Sequence, residues 1–165
     1  MAKISKPKSK KTEKNLGAEV SRRIEIKDIR LINCKCEQLP NPDRNNLRVD
    51  ISYEVNTKVD KGKNTILVFP KFTLKALSQE GKEEKSLIFI EAMFLAIYAV
   101  KNLDGLTDAH FDEFGKMNGV YNTWPYWREF VQNIISRMGL PRLILPAFRL
   151  GSSKTPAEEK KRKLI

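Results

Sequence analysis

The sequence predicts an α+β fold in which a four-stranded antiparallel sheet packs on a long C-terminal helix. Four segments between residues 20 and 100 have the alternating or continuously apolar patterns that are typical of strands. Short polar stretches with proline, asparagine or glycine separate these segments, and such turns suit antiparallel neighbours. The last third of the chain then changes to apolar residues spaced three and four apart, which is the period of an amphipathic helix.

The first predicted strand is long and irregular. Its apolar residues alternate with charged ones from Ile24, and the phase of the alternation then slips twice. A slip of one residue is the pattern of a β-bulge, in which two residues oppose one on the neighbouring strand. We therefore expect bulges near Lys27-Asp28 and near Leu31-Ile32.

The second and third strands differ in regularity. The second, from Leu47 to Val59, alternates apolar and polar residues throughout, which predicts one buried and one wet face. The third, from Thr65 to Leu77, contains Pro70, and proline has no N–H to donate to a neighbouring strand. Pro70 therefore predicts that this strand lies at an edge of the sheet or carries a bulge.

The fourth segment, from Leu87 to Val100, is apolar on both faces except for Glu91. A strand of this kind has to be covered on both sides. The chain's own helix can cover one side, and a second subunit or a bound polypeptide has to cover the other. A buried helix is the alternative, because periodicity alone does not separate the two structures.

Two helices are expected in the C-terminal third. A short helix runs from about residue 108 and ends near Gly119. A longer amphipathic helix begins with Asn122 or Thr123 as its N-cap, and Pro125 lies in its first turn, where a missing N–H costs nothing. Residues 142–150 follow as an extended, apolar segment interrupted by proline.

The net charge of +11 is concentrated at the two ends of the chain. Residues 1–16 carry a net +5 and residues 151–165 a net +3, and neither stretch has the apolar periodicity of a folded segment. We therefore expect a basic disordered arm over residues 1–19, one folded domain over residues 20–150 and a basic disordered tail after it. Such ends either keep a chain soluble or bind nucleic acid without sequence specificity.

The residue pattern does not favour a metal site or an enzyme. Cys34 and Cys36 fall on one face of a strand, and His110, the single histidine, lies far along the chain, so no set of zinc ligands is indicated. No phosphate-binding glycine loop and no nucleophile beside His110 is recognisable. We expect no catalytic residue, no metal and no cofactor.

The sequence favours a cytoplasmic protein. Its N-terminus is lysine-rich and lacks the apolar stretch of a signal peptide. The longest apolar run, from Leu87 to Val100, is shorter than the ~18 residues that a membrane-spanning helix needs. The two cysteines are expected to stay reduced in the cytosol.

Several segments resemble the SecB family of protein-export chaperones. An aromatic-Pro-Tyr-x-Arg-Glu helix, a Phe-Pro-x-Leu exit and an opening strand with a Lys-Asp-Ile step are typical of that family. The resembling segments here are, in that order, Thr123–Glu129 with Ser136-Arg137, Leu140–Leu143, and Arg23–Ile29. Glu91 matches a glutamate of the family's last strand, and the similarity runs from about Ile24 to Ala147.

The resemblance implies a four-stranded antiparallel sheet backed by a long helix, assembled as a dimer of dimers without an active site. Members of the family hold unfolded precursors in long apolar grooves and deliver them to the SecA motor. SecA docks on an acidic patch of the sheet, and Asp28 and Glu91 match two positions of that patch. A third acidic position is Ile32 here, and this chain is basic where the family is usually acidic.

The leading interpretation is a holdase that keeps unfolded polypeptides soluble and competent for translocation or assembly. A promiscuous groove needs adaptable apolar side chains, although each candidate also fits an ordinary core. The candidates for client binding are Phe69, Phe72, Leu74, Phe89, Met93, Phe94 and Trp127. The alternatives are a dedicated chaperone of one partner, such as an antitoxin, and a small nucleic-acid-binding protein that uses the basic ends.

Overall fold

The computed structural model of the chain describes residues 16–40, 47–80 and 83–148. The predicted tail at residues 151–165 and most of the predicted arm lie outside these ranges. The elements, in chain order, are α1 (Leu16–Ser21), β1 (Ile24–Gln38), β2 (Leu47–Asp60), β3 (Thr65–Glu80), β4 (Glu83–Val100), α2 (Asp108–Phe114), a π-helical turn (Gly115–Gly119) and α3 (Val120–Arg137).

Helix α1 corrects the predicted extent of the arm, because it includes residues 16–19. Gly17 and Val20 are buried, and a Cβ on Gly17 would lie 3.2 Å from the backbone nitrogen of Phe114 in α2. A helix of six residues is too short to be stable alone or to give a periodic signal. Its packing on α2, which a local pattern does not contain, stabilises it.

The four strands form one antiparallel sheet in the order β1-β4-β3-β2, which confirms the predicted fold class. The segment from Leu87 to Val100 is therefore a strand and not a buried helix. Both predicted bulges in β1 are confirmed, because its register against β4 shifts between Ile26 and Asp28 and again between Leu31 and Asn33.

The prediction from Pro70 was wrong, because β3 lies between β4 and β2 and its register does not shift at this residue. On the β2 side Pro70 pairs with Val55. On the β4 side the pairing passes from Val68 with Ala96 to Lys71 with Met93. A short gap in one ladder accommodates the missing N–H without moving the strand to an edge.

The predicted break between two helices was also wrong, because α2, the π-helical turn and α3 run without interruption. Gly119 allows close packing on the sheet: a Cβ there would lie 2.6 Å from Cγ1 of Val68. Thr123 does not cap a helix but is buried inside one, and its hydroxyl donates to the carbonyl of Gly119 at 2.8 Å. Pro125 consequently lies in the interior of α3, where it is exposed.

Side chains of the sheet alternate between two faces, which we call the core face and the open face. The core face carries the even-numbered residues of β3 and, from Ile88 onward, those of β4, and α3 packs on it. A second cluster joins the same face to α1 and α2 through Val20, Phe111 and Phe114. The open face carries the odd-numbered residues of β3 up to Leu77 and of β4 from Phe89 onward, which are half-buried apart from the exposed Lys75. Leu87 is buried in the core instead, next to the register shift at Ala76 and Leu77.

Candidate functional site

Four of the seven candidate client-binding residues lie in the core. Phe72, Leu74, Phe94 and Trp127 are almost inaccessible to solvent. The rings of Phe72 and Trp127 stack with their centroids 5.4 Å apart, and the ring of Phe94 meets Phe72 edge-on at 6.1 Å. For Phe72, Phe94 and Trp127 the structure fits the ordinary-core interpretation, whereas Leu74 also lines a cavity on the core face.

The other three candidates, Phe69, Phe89 and Met93, are half-buried on the open face. Lysine ammonium groups lie 5.6 Å from two of these rings, that of Lys58 from Phe69 and that of Lys35 from Phe89, within the range of cation–π attraction. A cavity of about 340 Å³ opens on this face, and its lining consists of Glu54, Val55, Asn56, Lys58, Phe69, Lys71 and Met93.

The two candidate SecA-docking residues share the open face but do not form one patch. Asp28 pairs with Ile97 in the sheet and Glu91 lies six residues away on β4, so the two are about 20 Å apart. Each carboxylate also has a cationic neighbour. Asp28 lies 3.0 Å from Arg30, and Glu91 lies 3.7 Å from Lys71.

A second cavity lies on the core face, beyond the end of α3, and has a volume of about 180 Å³. We call it the core-edge groove, and its lining consists of Leu47, Val49, Leu74, Ala76, Ile88, Ile135, Leu140, Pro141, Arg142 and Leu143. Sequence reasoning named only Leu74 from this set. The signal that could have found it is the match between the apolar face of β2 and the apolar segment after α3.

The segment after α3 forms one wall of the core-edge groove, and three contacts fix its position. The indole N–H of Trp124 donates to the carbonyl of Pro146 at 2.8 Å. Leu145 is buried, and the ring of Phe148 lies 6.1 Å from Tyr53 and 5.5 Å from Trp124. The wall is therefore held by side chains of β2 and α3, while the groove itself stays accessible.

The cysteines and the histidine have structural surroundings. Cys34 and Cys36 are exposed free thiols. Burial raises the pKa of the Cys36 thiol, and Cys34 raises it further, so this group is a weaker nucleophile and metal ligand at neutral pH. His110 accepts a hydrogen bond from the N–H of Thr107 at 3.2 Å and faces Glu19 at 3.5 Å, which ties α2 to α1.

Two findings bear on other kinds of site. Over the residues that the structure describes, no group of three or more His, Cys, Asp or Glu side chains is arranged to hold a metal ion. Within the same ranges, no helix combines the length and the apolar character that crossing a membrane requires.

The order β1-β4-β3-β2, with a long helix on one face, gives the chain a SecB-like fold. The solved structure of the Mycobacterium tuberculosis Rv1957 SecB-like chaperone, in complex with a ChAD peptide from the Rv1956 HigA1 antitoxin, matches it with a TM-score of 0.72. The two sequences are 22% identical, and the match covers 82% of this chain and 98% of that one.

A protein of unknown function from Streptococcus agalactiae matches with a TM-score of 0.46 at 7% identity. That match covers 74% of this chain and 96% of the other, and it is too distant to support an argument. No protein-family model matches the chain, and a search of curated proteins finds no match.

Proposed function

We propose that this chain is a cytoplasmic holdase that binds unfolded polypeptide segments and keeps them soluble. The observation that carries the proposal is the core-edge groove, an accessible apolar surface at the end of α3 in a SecB-like fold. Apolar surface removed from water contributes about 25 cal/mol per Å². A groove lined almost entirely by aliphatic side chains can therefore hold apolar segments of many sequences.

Binding of this kind is passive. The chain carries no recognisable nucleotide-binding motif, so we propose that no ATP is used and that clients are released by mass action or by a partner. Three candidates in the core, Phe72, Phe94 and Trp127, are excluded from the proposed client surface because the protein itself already covers them.

We also propose that the chain assembles into a dimer and then a dimer of dimers. Strand β1 exposes Ile26, Leu31 and Ile32 by 45%, 42% and 45%. These residues lie along one edge strand, and a second copy that covered them would remove an apolar stripe from water.

The holdase proposal predicts suppression of client aggregation without nucleotide. Light scattering of a chemically unfolded client should fall at a near-stoichiometric ratio of the chain to the client, and addition of ATP should change nothing. Leu143→Ser, at a residue that lines the groove, should weaken client binding about tenfold or more and so reduce the suppression, because each buried aliphatic side chain contributes about 1.5–3 kcal/mol.

Ile144 provides the matched control for that experiment. It is the next residue, it is 69% exposed, and it does not line the groove. Ile144→Ser should therefore suppress aggregation like the wild type, and sedimentation should give both variants the assembly size of the wild type. Failure of the wild-type chain to slow aggregation would contradict the holdase proposal.

The client is either general export precursors or one dedicated partner. The bound peptide in the structure of the Mycobacterium tuberculosis chaperone comes from an antitoxin, which supports the dedicated alternative. Co-expression of this chain with an antitoxin encoded beside its gene should raise the soluble yield of that antitoxin more than the yield of an unrelated export precursor. Equal effects on both would favour a general chaperone.

The SecA partnership is expected to be weak or absent. Asp28 already pairs with Arg30, and Glu91 shares Lys71 with Glu54. Each exposed ion pair with a partner is worth only about 0.2–1 kcal/mol. The positive field of the chain also slows encounter with a cationic SecA tail peptide. Calorimetry should detect stronger binding after removal of residues 1–15 and 151–165, and Asp28→Lys should abolish it. Tight binding by the full chain would contradict this expectation.

A further inference from the structure

The outer edge of β2 is long and regular. Strand β2 pairs with β3 over 14 residues, from Leu47 with Ser78 to Asp60 with Thr65, without a register shift. On its other side, no backbone hydrogen bond links β2 to any part of the chain that the structure describes. An edge strand of this kind presents every second N–H and C=O to solvent and is a template for pairing with another chain.

The opposite edge of the sheet is much less suited to pairing. Strand β1 carries two bulges, between Ile26 and Asp28 and between Leu31 and Asn33. Each bulge interrupts the even spacing of backbone donors and acceptors and increases the local twist. An added strand would keep its register along β2 but lose it twice along β1.

The core-edge groove lies against the regular edge. Leu47 and Val49 of β2 form part of its lining, and both project from the core face. A strand added outside β2 would project every second side chain from that same face, toward the groove. An apolar cavity of about 150 Å³ holds a benzene molecule, so the groove of about 180 Å³ has room for one phenylalanine or leucine side chain.

The charge of the groove indicates which client residues flank the side chain that enters it. Nine of the ten lining residues are apolar, and the tenth is Arg142. Arginine stays charged at all ordinary pH values, and its guanidinium donates to carboxylates in a forked geometry. Among the residues that the structure describes, no carboxylate lines the groove, so a carboxylate of the bound segment, two residues from the anchor and thus on the same face, complements Arg142.

We infer that the client docks as an extended fifth strand on the outer edge of β2, with one large apolar side chain in the core-edge groove and an acidic side chain beside Arg142. The partner is therefore a polypeptide segment of mixed apolar and acidic sequence, and not a second copy of the chain. This inference rests on the proposed holdase function, because it specifies the client of the same groove and the way in which that client binds.

Backbone methylation of a peptide tests the pairing. The probe is a labelled ten-residue peptide of threonine and serine with a central phenylalanine and an aspartate two residues to each side, and binding is measured by fluorescence anisotropy. A series of single N-methyl groups removes one N–H at a time. Affinity should fall about tenfold or more at every second position and change little at the positions between, because only alternate amides pair with β2.

Residue-resolved hydrogen exchange on the full chain provides the second measurement. Peptide binding should protect every second amide of β2 and leave β1 unchanged. Loss of affinity without a two-residue period, or protection in β1, would overturn the inference. Protection of the outward-facing β2 amides, those that do not pair with β3, before any peptide is added would mean that a second copy occupies this edge, and that result would overturn it as well.

Variants of Arg142 test the preference of the groove for acidic clients. The wild-type chain should bind the aspartate peptide about fivefold more tightly than the same peptide with lysine in place of aspartate, the range expected for one or two partly exposed ion pairs. Arg142→Glu should reverse the order. Arg137→Glu, an exposed residue of α3 outside the groove, should keep it. Equal effects of the two variants would overturn the role of Arg142.

The outcomes of these experiments distinguish strand docking on β2 from the holdase function. If the unmodified peptide does not bind while the chain still suppresses client aggregation, strand docking is wrong and the holdase function is retained. If neither peptide binding nor suppression of aggregation is observed, both strand docking and the holdase function are wrong.

Discussion

Replacement of Phe72 by alanine is expected to lower the free energy of unfolding by about 4 kcal/mol, near the middle of the range for buried phenylalanine. The side chain is 0% exposed and lies at the centre of an aromatic cluster. Its ring centroid is 5.4 Å from that of Trp127, 5.6 Å from Trp124 and 6.1 Å from Phe94. Alanine would leave a cavity against rigid neighbours that have little freedom to fill it.

Urea unfolding followed by circular dichroism would measure this loss, and Phe69→Ala provides the control. Phe69 is the same residue type on the same strand, but it is half-buried on the open face. Its replacement should cost about 1 kcal/mol, since less of its surface leaves water on folding. A Phe72→Ala variant with wild-type stability and impaired client binding would place Phe72 in the client surface, contrary to its position in the core.

The substitution Gly119→Ala is expected to lower the free energy of unfolding by about 1–3 kcal/mol, the usual cost of overpacking. Alanine in place of glycine favours an isolated helix by about 1 kcal/mol, so helix propensity predicts the opposite sign. Packing should prevail because the added Cβ would lie 2.6 Å from Cγ1 and 3.3 Å from Cβ of Val68. The helix would have to move away from β3.

A double-mutant cycle with Val68→Ala isolates that contact. Removal of the two Val68 methyl groups should offset part of the cost of Gly119→Ala, while Val68→Ala alone should be destabilising. Lys116→Ala, at an exposed position of the same π-helical turn, serves as the control for helix propensity and should change stability by less than about 0.5 kcal/mol. Stabilisation by Gly119→Ala would contradict the close approach of helix and sheet.

The strands could be predicted well because their signals are local. Alternation along β2 and the two phase slips in β1 follow directly from the pleat, in which a one-residue insertion moves every later side chain to the other face. The helices were harder. Gly119, Thr123 and Pro125 are all typical of helix ends. The contact of Gly119 with Val68 and the hydrogen bond from Thr123 to the preceding turn accompany a helix that continues past all three.

The sequence predicted an apolar binding surface, but neither the face of the sheet that carries it nor most of its residues, of which only Leu74 was named. Phe69 and Phe72 differ by three positions, so the alternation places them on opposite faces of β3. Which face the helix covers depends on tertiary packing, and so does the distance between Asp28 and Glu91. The position of the core-edge groove depends on where α3 ends above the sheet. The sequence placed the helix boundaries wrongly, so it could not locate the groove.

The positions of the two tryptophans have an optical consequence. Trp124 and Trp127 both lie on α3, and both are buried. The Trp124 indole is bonded to the segment that walls the groove, whereas the indole nitrogen of Trp127 has no partner among the described residues. Tryptophan fluorescence therefore originates within one helix, from two indoles that are removed from water. Client docking that moves the wall changes the Trp124 component alone, so the unlabelled chain reports its own occupancy.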